Sequence, residues 1–198
     1  MATTVSICNQ ALAMLGAKSI ISLDDGTTEA NLCKALYDPV RDAALEMGNW
    51  SFATKWLEIP RMANPPVGEY TSAFPLPPDV LRVIFVGTDF NHPEQWQREG
   101  NNIRKDGDKC KCQVLVREVD VTKYSPMFVQ ALSTYLASEL AIGITNSKTM
   151  AEYYASTAAK KMDEAINNDN AQGRARKITS NWLQASRASG STPSGPYV

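Results

Sequence analysis

Histidine is nearly missing from this 198-residue sequence, His92 being its single instance. A group that gains and loses protons near neutral pH is the usual centre of acid–base catalysis, so an enzyme built here would need its base from elsewhere. His92 itself stands in Asn91-His92-Pro93, which reads as a solvated loop, and no partner able to orient it can be placed. No serine occupies a Gly-x-Ser-x-Gly elbow, and no glycine-rich loop of the phosphate-cradling kind is present; the glycines are scattered singly. These absences predict no catalytic residue, no cofactor and no enzyme activity.

Excess charge is lacking too. Lys and Arg total 20 against 21 Asp and Glu, a formal net charge of −1, whereas a dedicated nucleic-acid binder carries a clear basic excess. No segment is apolar for long enough to predict a membrane span: the stretch from Phe128 to Ile144 is interrupted by Gln130, Ser133, Thr134, Ser138 and Glu139 and reads as a buried helix. Met1-Ala2-Thr3-Thr4 lacks the basic segment and apolar run of a signal peptide. The four cysteines, Cys8, Cys33, Cys110 and Cys112, are therefore expected to stay reduced in a cytosol. Acidic residues stop at Asp169, while Arg174, Arg176, Lys177 and Arg187 follow it.

What is present is a change of hydrophobic period along the chain. Val5, Cys8, Leu12 and Leu15 recur at helical spacing, with a threonine at 3 or 4 to cap the start and Gly16 suited to the left-handed position after the end. Beyond the Asp24-Asp25-Gly26 turn, Ala30, Cys33, Tyr37, Val40, Ala44 and Met47 make one buried stripe of a second helix, which Pro39 should kink near Lys34 to Asp38 or split in two.

From Trp50 to Thr122 strand signals replace helical ones. Lys55 to Ile59, Val80 to Val86 and Gln113 to Val119 read as strands, with a hairpin turn at Asp106-Gly107 whose other arm holds Ile103-Arg104. Six of the eleven prolines fall between Pro60 and Pro78, predicting a stiff extended loop. Helical spacing returns at Ser125-Pro126, through Val129, Leu132, Leu136, Leu140 and Gly143, with Phe128, Tyr135 and Ile142 widening the stripe almost to the full circumference. Asn146-Ser147 can end that helix and cap the next.

The expectation is an α+β, mainly α chain: a four-helix bundle with an inserted small antiparallel β-sheet and an extended C-terminal tail. Residues 1–172 form one domain, with helices over about 3–16, 28–48, 126–145 and 148–168 and a β-rich insertion over about 50–122. Residues 173–198, rich in Ser, Gly and Pro, are expected to be a flexible tail, because they hold too little apolar surface to offset their own ordering entropy.

Three local features invite a chemical reading and each has a plainer one. Cys110-Lys111-Cys112 could begin a zinc site, but a structural site wants four ligands and the other thiols lie on separate helices. A Cys-x-Cys pair on a strand also points both side chains to one face, placing two small apolar groups together, so no metal is expected. Glu139, on a helix otherwise apolar, needs a pair with Arg41 or Lys34, access to solvent, or a subunit contact. Arg82, amid apolar strand residues, reads as a partnered edge residue.

Three blocks together carry a resemblance. The first holds Asn9-Gln10-Ala11-Leu12, Leu15-Gly16, Ile21-Ser22-Leu23, Ala30, Cys33, Tyr37-Asp38-Pro39-Val40-Arg41-Asp42 and Trp50-Ser51-Phe52-Ala53. The second is Phe74-Pro75-Leu76-Pro77-Pro78-Asp79-Val80-Leu81-Arg82-Val83. The third holds Ala131-Leu132, Tyr135-Leu136-Ala137, Glu139-Leu140-Ala141, Ile144-Thr145, Tyr153-Tyr154 and Ala165.

In order and spacing these are similar to the head-to-tail adaptors of short-tailed phages, the tail tubular protein A type, over most of residues 3–172. The resemblance implies a dodecameric ring beneath the portal protein, joining it to the tail nozzle protein around a lumen through which genomic DNA passes non-specifically. It implies a virion location after synthesis in the host cytoplasm, no membrane contact and no catalysis. The tail residues Arg174, Arg176, Lys177, Trp182, Leu183 and Arg187 are the candidate contact to the portal or to a neighbouring subunit, an aromatic anchor among basic side chains. A different class remains open on the same residues: a cytosolic nucleic-acid-binding regulator using the basic tail.

Overall fold

A computed structural model describes residues 2–64, 67–88, 90 and 93–172. The chain opens with helix α1, Thr4–Met14, whose start is held by a capping box between Thr3 and Ser6. Its end is a Schellman turn: Gly16, at φ 69°, donates to the Ala13 carbonyl and Ala17 to that of Leu12. Helix α2, Thr28–Glu46, runs through Pro39 as one helix, so of the expected kink or split the split does not occur. Pro39 removes a single backbone donor, and the buried face through Cys33, Tyr37 and Val40 holds both halves against the third helix. Met47 leaves the stripe and is half exposed, while Arg41 and Leu45 join the buried face.

Helices α3, Pro126–Thr145, and α4, Lys148–Ala171, follow with the expected junction: Asn146 is left-handed and Ser147 caps α4. α3 packs on α1, α2 and α4, while α1 and α2 touch each other little. It is long and apolar enough to cross a membrane, with a mean hydropathy of 1.3, yet 61% of that window is buried inside the fold as the centre of the helical core. Its buried Ser133, Thr134 and Ser138 satisfy their hydroxyls on carbonyls of their own helix, those of Gln130 and Tyr135, which is how a core helix tolerates them. Ile142 is exposed, so the apolar stripe does not encircle the helix.

The β-rich region overturns the expected architecture. Among the described residues there are four α-helices and two three-stranded antiparallel sheets, a mixed α/β fold rather than a four-helix bundle carrying one small sheet. Strands β1 (Thr54–Pro60), β3 (Val80–Val86) and β6 (Lys109–Val116) form one sheet in the order β1-β6-β3. Strands β2 (Ser72–Pro75), β4 (Gln97–Glu99) and β5 (Asn102–Lys105) form the other in the order β2-β5-β4. Between the sheets lies a core of its own, in which Ile59, Cys110, Cys112, Val83 and Val86 meet Phe74 and Ile103. A second core of this kind is why the region is a layer of the fold and not an appendage.

Particular misreadings have particular causes. The Asp106-Gly107 turn makes no hairpin, because β5 pairs with β2 and β4 whereas β6 pairs with β1 and β3. Asp106 is spent elsewhere, accepting from the backbone N–H and hydroxyl of Thr71, so the turn passes the chain from one sheet to the other. The stretch expected as a proline loop contains β2, an edge strand, where Pro75 deprives no partner of a donor. β6 begins four residues before the expected Gln113 and ends at Val116, leaving Val119 exposed.

Helices and sheets are joined by an aromatic cluster. The Phe128 ring of α3 lies 4.6 Å from Trp50, 5.0 Å from Tyr124 and 5.2 Å from Phe52, centre to centre. Trp50 is wholly buried and donates its indole N–H to the Ala44 carbonyl, satisfying an orphan acceptor at the end of α2. Gly48 is required there, since a Cβ would come within 2.9 Å of that indole. Around the cluster, Asp169 of α4 accepts from both the N–H and the hydroxyl of Ser51 at 2.7 and 2.8 Å. Arg41 pairs with Asp38 and Asp42, and Asp42 reaches on to Arg117 beyond β6. Glu118 accepts from Lys123 and from the Asp120 N–H, and its carbonyl takes the Tyr124 hydroxyl.

Two outcomes follow from these braces. Asp169→Ala strands the Ser51 donors and should cost about 1–3 kcal/mol in urea unfolding at an unchanged slope, with Asp169→Asn, which keeps one acceptor, costing less. Burial opposes ionisation of Glu118, but Lys123 and the Asp120 N–H together hold its carboxyl below the ordinary value of 4.5. A depressed carboxyl stabilises the fold above its ordinary value and loses that contribution as pH falls through the folded one. Between about pH 5 and 3, Glu118→Gln should therefore show a shallower fall in Tm than the unaltered protein; equal slopes would refute the brace.

Candidate functional site

The residues that sequence reasoning singled out scatter rather than converge. His92 and the tail residues Arg174, Arg176, Lys177, Trp182, Leu183 and Arg187 lie outside the described residues. Arg82 is on the edge strand β3 and is partnered, donating to the Gly48 carbonyl at 3.1 Å and to Asn49 Oδ1 at 2.7 Å, a cation set against the end of α2. Glu139 is exposed and pairs with neither suggested partner: Arg41 is engaged by Asp38 and Asp42, and Lys34 by Asp24.

Cys110 and Cys112 point to one face of β6 and are both wholly buried between the sheets. The hydrogen bond to Cys112, followed by burial, pushes the Cys110 thiol far up, while the same bond pulls Cys112 down. Cys8 and Cys33 make the same arrangement between α1 and α2, where the bond to Cys33 and then burial raise the Cys8 thiol. Among the described residues no three His, Cys, Asp or Glu side chains gather as metal ligands. What the thiols do chemically is fill space as small hydrophobes.

Two surfaces stand out instead. On the outer face of the first sheet, Trp56 of β1 and Phe85 of β3 both sit opposite Gln113 of β6, and Phe90 closes over them at 5.4 and 4.7 Å. Trp56 remains 47% exposed. The other surface is an apolar groove on the helical side, a cavity of about 370 Å³. Met47, at the end of α2, and Tyr135 of α3 form one wall. Ala155, Ala159, Met162 and Ile166, at helical spacing on α4, form the other, and Asp163 supplies the one charge. The alanines open the groove because they are small and exposed on an otherwise packed helix.

No protein-family model matches the chain, and no curated relative is similar to it in sequence. Function must therefore be argued from the residues. The groove went unnoticed in the sequence because its walls come from three helices; Ala155, Ala159 and Met162 at steps of four and three were the available signal. The aromatic patch was equally silent, since Trp56 stands 29 residues before Phe85 along the chain.

The thiol assignment has a direct check. Protein prepared without added metal should hold no stoichiometric zinc, keep its circular dichroism in a chelator, and react with a thiol reagent only on unfolding. Zinc at one equivalent per chain would contradict it, because a structural zinc contributes folding free energy.

Proposed function

We propose that the chain is a structural subunit of a phage particle, a head-to-tail adaptor of the tail tubular protein A type. It assembles as a dodecameric ring between the portal protein and the tail nozzle protein, with genomic DNA passing through the lumen, and performs no catalysis. The observation that carries this reading is the order and spacing of the three sequence blocks. Several of their residues belong to the two cores and to the contacts that join helices and sheets.

Tyr37 to Asp42 contributes the Arg41–Asp42–Arg117 brace, and Trp50 to Ala53 supplies the aromatic cluster and the Asp169 contact. Phe74 to Val83 runs from β2 of one sheet to β3 of the other through the core they share, and Ala131 to Ala141 lines the buried face of α3. Such positions define an architecture, which suits a protein whose task is to hold a shape in a ring. Two exposed apolar surfaces on different layers, the aromatic patch and the helical groove, also suit a subunit that must meet more than one neighbour. In this reading the portal or an adjacent subunit receives the tail through Trp182 and Leu183, with Arg174, Arg176, Lys177 and Arg187 around them.

Mass measurement of the free protein and of its mixture with portal rings tests the assignment. The expected result is a complex with one chain per portal subunit and no affinity for duplex DNA beyond weak, non-specific binding. A chain that ignores portal rings but binds DNA with a steep salt dependence would instead be the nucleic-acid-binding regulator.

A further inference from the structure

The groove between α2, α3 and α4 is an apolar site with an acidic rim, and the chain carries a basic, aromatic segment tethered beside it. We propose that residues 178–187 of the chain's own C-terminal segment occupy this groove, with the Trp182 indole as the group that fills it. The proposal goes beyond the ring reading and stands without it, since it needs no portal and no second copy.

Reach is the first argument. α4 ends at Ala171, and the groove residues Ile166 and Met162 lie five and nine residues back along the same helix, about 8–14 Å at a rise of ~1.5 Å per residue. Trp182 is eleven residues beyond Ala171, which spans up to about 36–40 Å when extended at ~3.3–3.6 Å per residue. The segment thus reaches the groove with slack to reverse direction, and Gly173, its first residue after the cap of α4, allows the reversal. A tether of this length gives an effective concentration on the order of millimolar, so a modest contact suffices to hold the segment.

Size and charge agree. A cavity of about 370 Å³ is more than twice the ~150 Å³ that accepts benzene, and the walls are methyl groups, thioethers and the Tyr135 ring. Asp163 lies in the wall and Glu139 is exposed one turn from Tyr135; neither is in an ion pair among the described residues. Two lysines stand nearby on α4, of which Lys161 is tied to the Thr134 hydroxyl and Lys160 is exposed. The segment brings Arg174, Arg176, Lys177 and Arg187 and no carboxylate side chain, so Asp163 and Glu139 gain the partners they lack. The groove supplies the apolar surface that the segment's own composition lacks. In the free chain this contact keeps Trp182 covered until another surface competes for it.

Fluorine NMR of the full chain, with 5-fluorotryptophan at its four tryptophans, tests this. The Trp182 signal is identified as the one lost in Trp182→Phe. It should lie away from the position of free 5-fluorotryptophan and show little change between H2O and D2O. Ala159→Phe, which fills the groove from an exposed site, and Asp163→Lys should each return it to the free position. The Trp56 and Trp96 signals, from β1 and from beside the core between the sheets, should stay where they are and report an intact fold. A Trp182 signal at the free position in the unaltered protein, or one that neither variant moves, overturns the proposal. A shifted signal that collapses to the free position on dilution, with dimer mass by light scattering, also overturns it by making a second copy the donor. Failure here leaves portal binding untouched, and failure to bind portal rings leaves this contact untouched.

Discussion

Phe128 occupies the point where the helical layer and the sheets meet, and the geometry around it constrains everything else. Its ring packs edge-on against Trp50 and Tyr124 and tilts against Phe52, so residues from α3, from the exit of α2 and from the link between β6 and α3 are fixed by one cluster. Aromatic pairs of this kind add about 0.5–1.5 kcal/mol each beyond their burial. Their larger effect is directional, because edge-to-face contacts prescribe how the elements approach. Trp50 fixes the end of α2 through Ala44, Ser51 fixes the end of α4 through Asp169, and the next residues enter β1.

Much of this was readable from the sequence, and the parts that were not share a cause. α3 matched its expected bounds because cap, N-terminal proline and a buried stripe agreed with one another. The ends of β3 were equally clear, since Val80 to Val86 is apolar on both faces except for Arg82 and bounded by Pro78 and Gly87. Sheet membership was not. The turn at Asp106-Gly107 fixes a reversal of the chain but not which strand the returning arm pairs with, and the pairing was decided by the core around Phe74 and Ile103. β4 gave no signal because Gln97, Arg98 and Glu99 are all exposed. One sheet was expected where two exist, and the helical bundle was overweighted accordingly.

The candidate surfaces were hidden for the same reason. Trp56 and Phe85 meet only because β6 runs between their strands, and the groove exists only because α4 lies along α3 with alanines toward solvent. Single residues with apparent chemical promise resolved into structural roles: two thiol pairs in the cores, an arginine on a helix end, a glutamate in solvent. The described part of the chain carries two exposed apolar surfaces, the aromatic patch and the helical groove, which the adaptor proposal takes as contact faces.

The central claim is that the aromatic cluster makes helices and sheets one cooperative unit. Native-state hydrogen exchange of the amides in α3 and β6, compared between the unaltered protein and Phe128→Leu, addresses it most directly. The account predicts that the substitution lowers the protection of both elements by the same factor, as a shared global opening requires. Loss of protection in α3 with β6 unchanged would show that the sheets stand on their own and would contradict it.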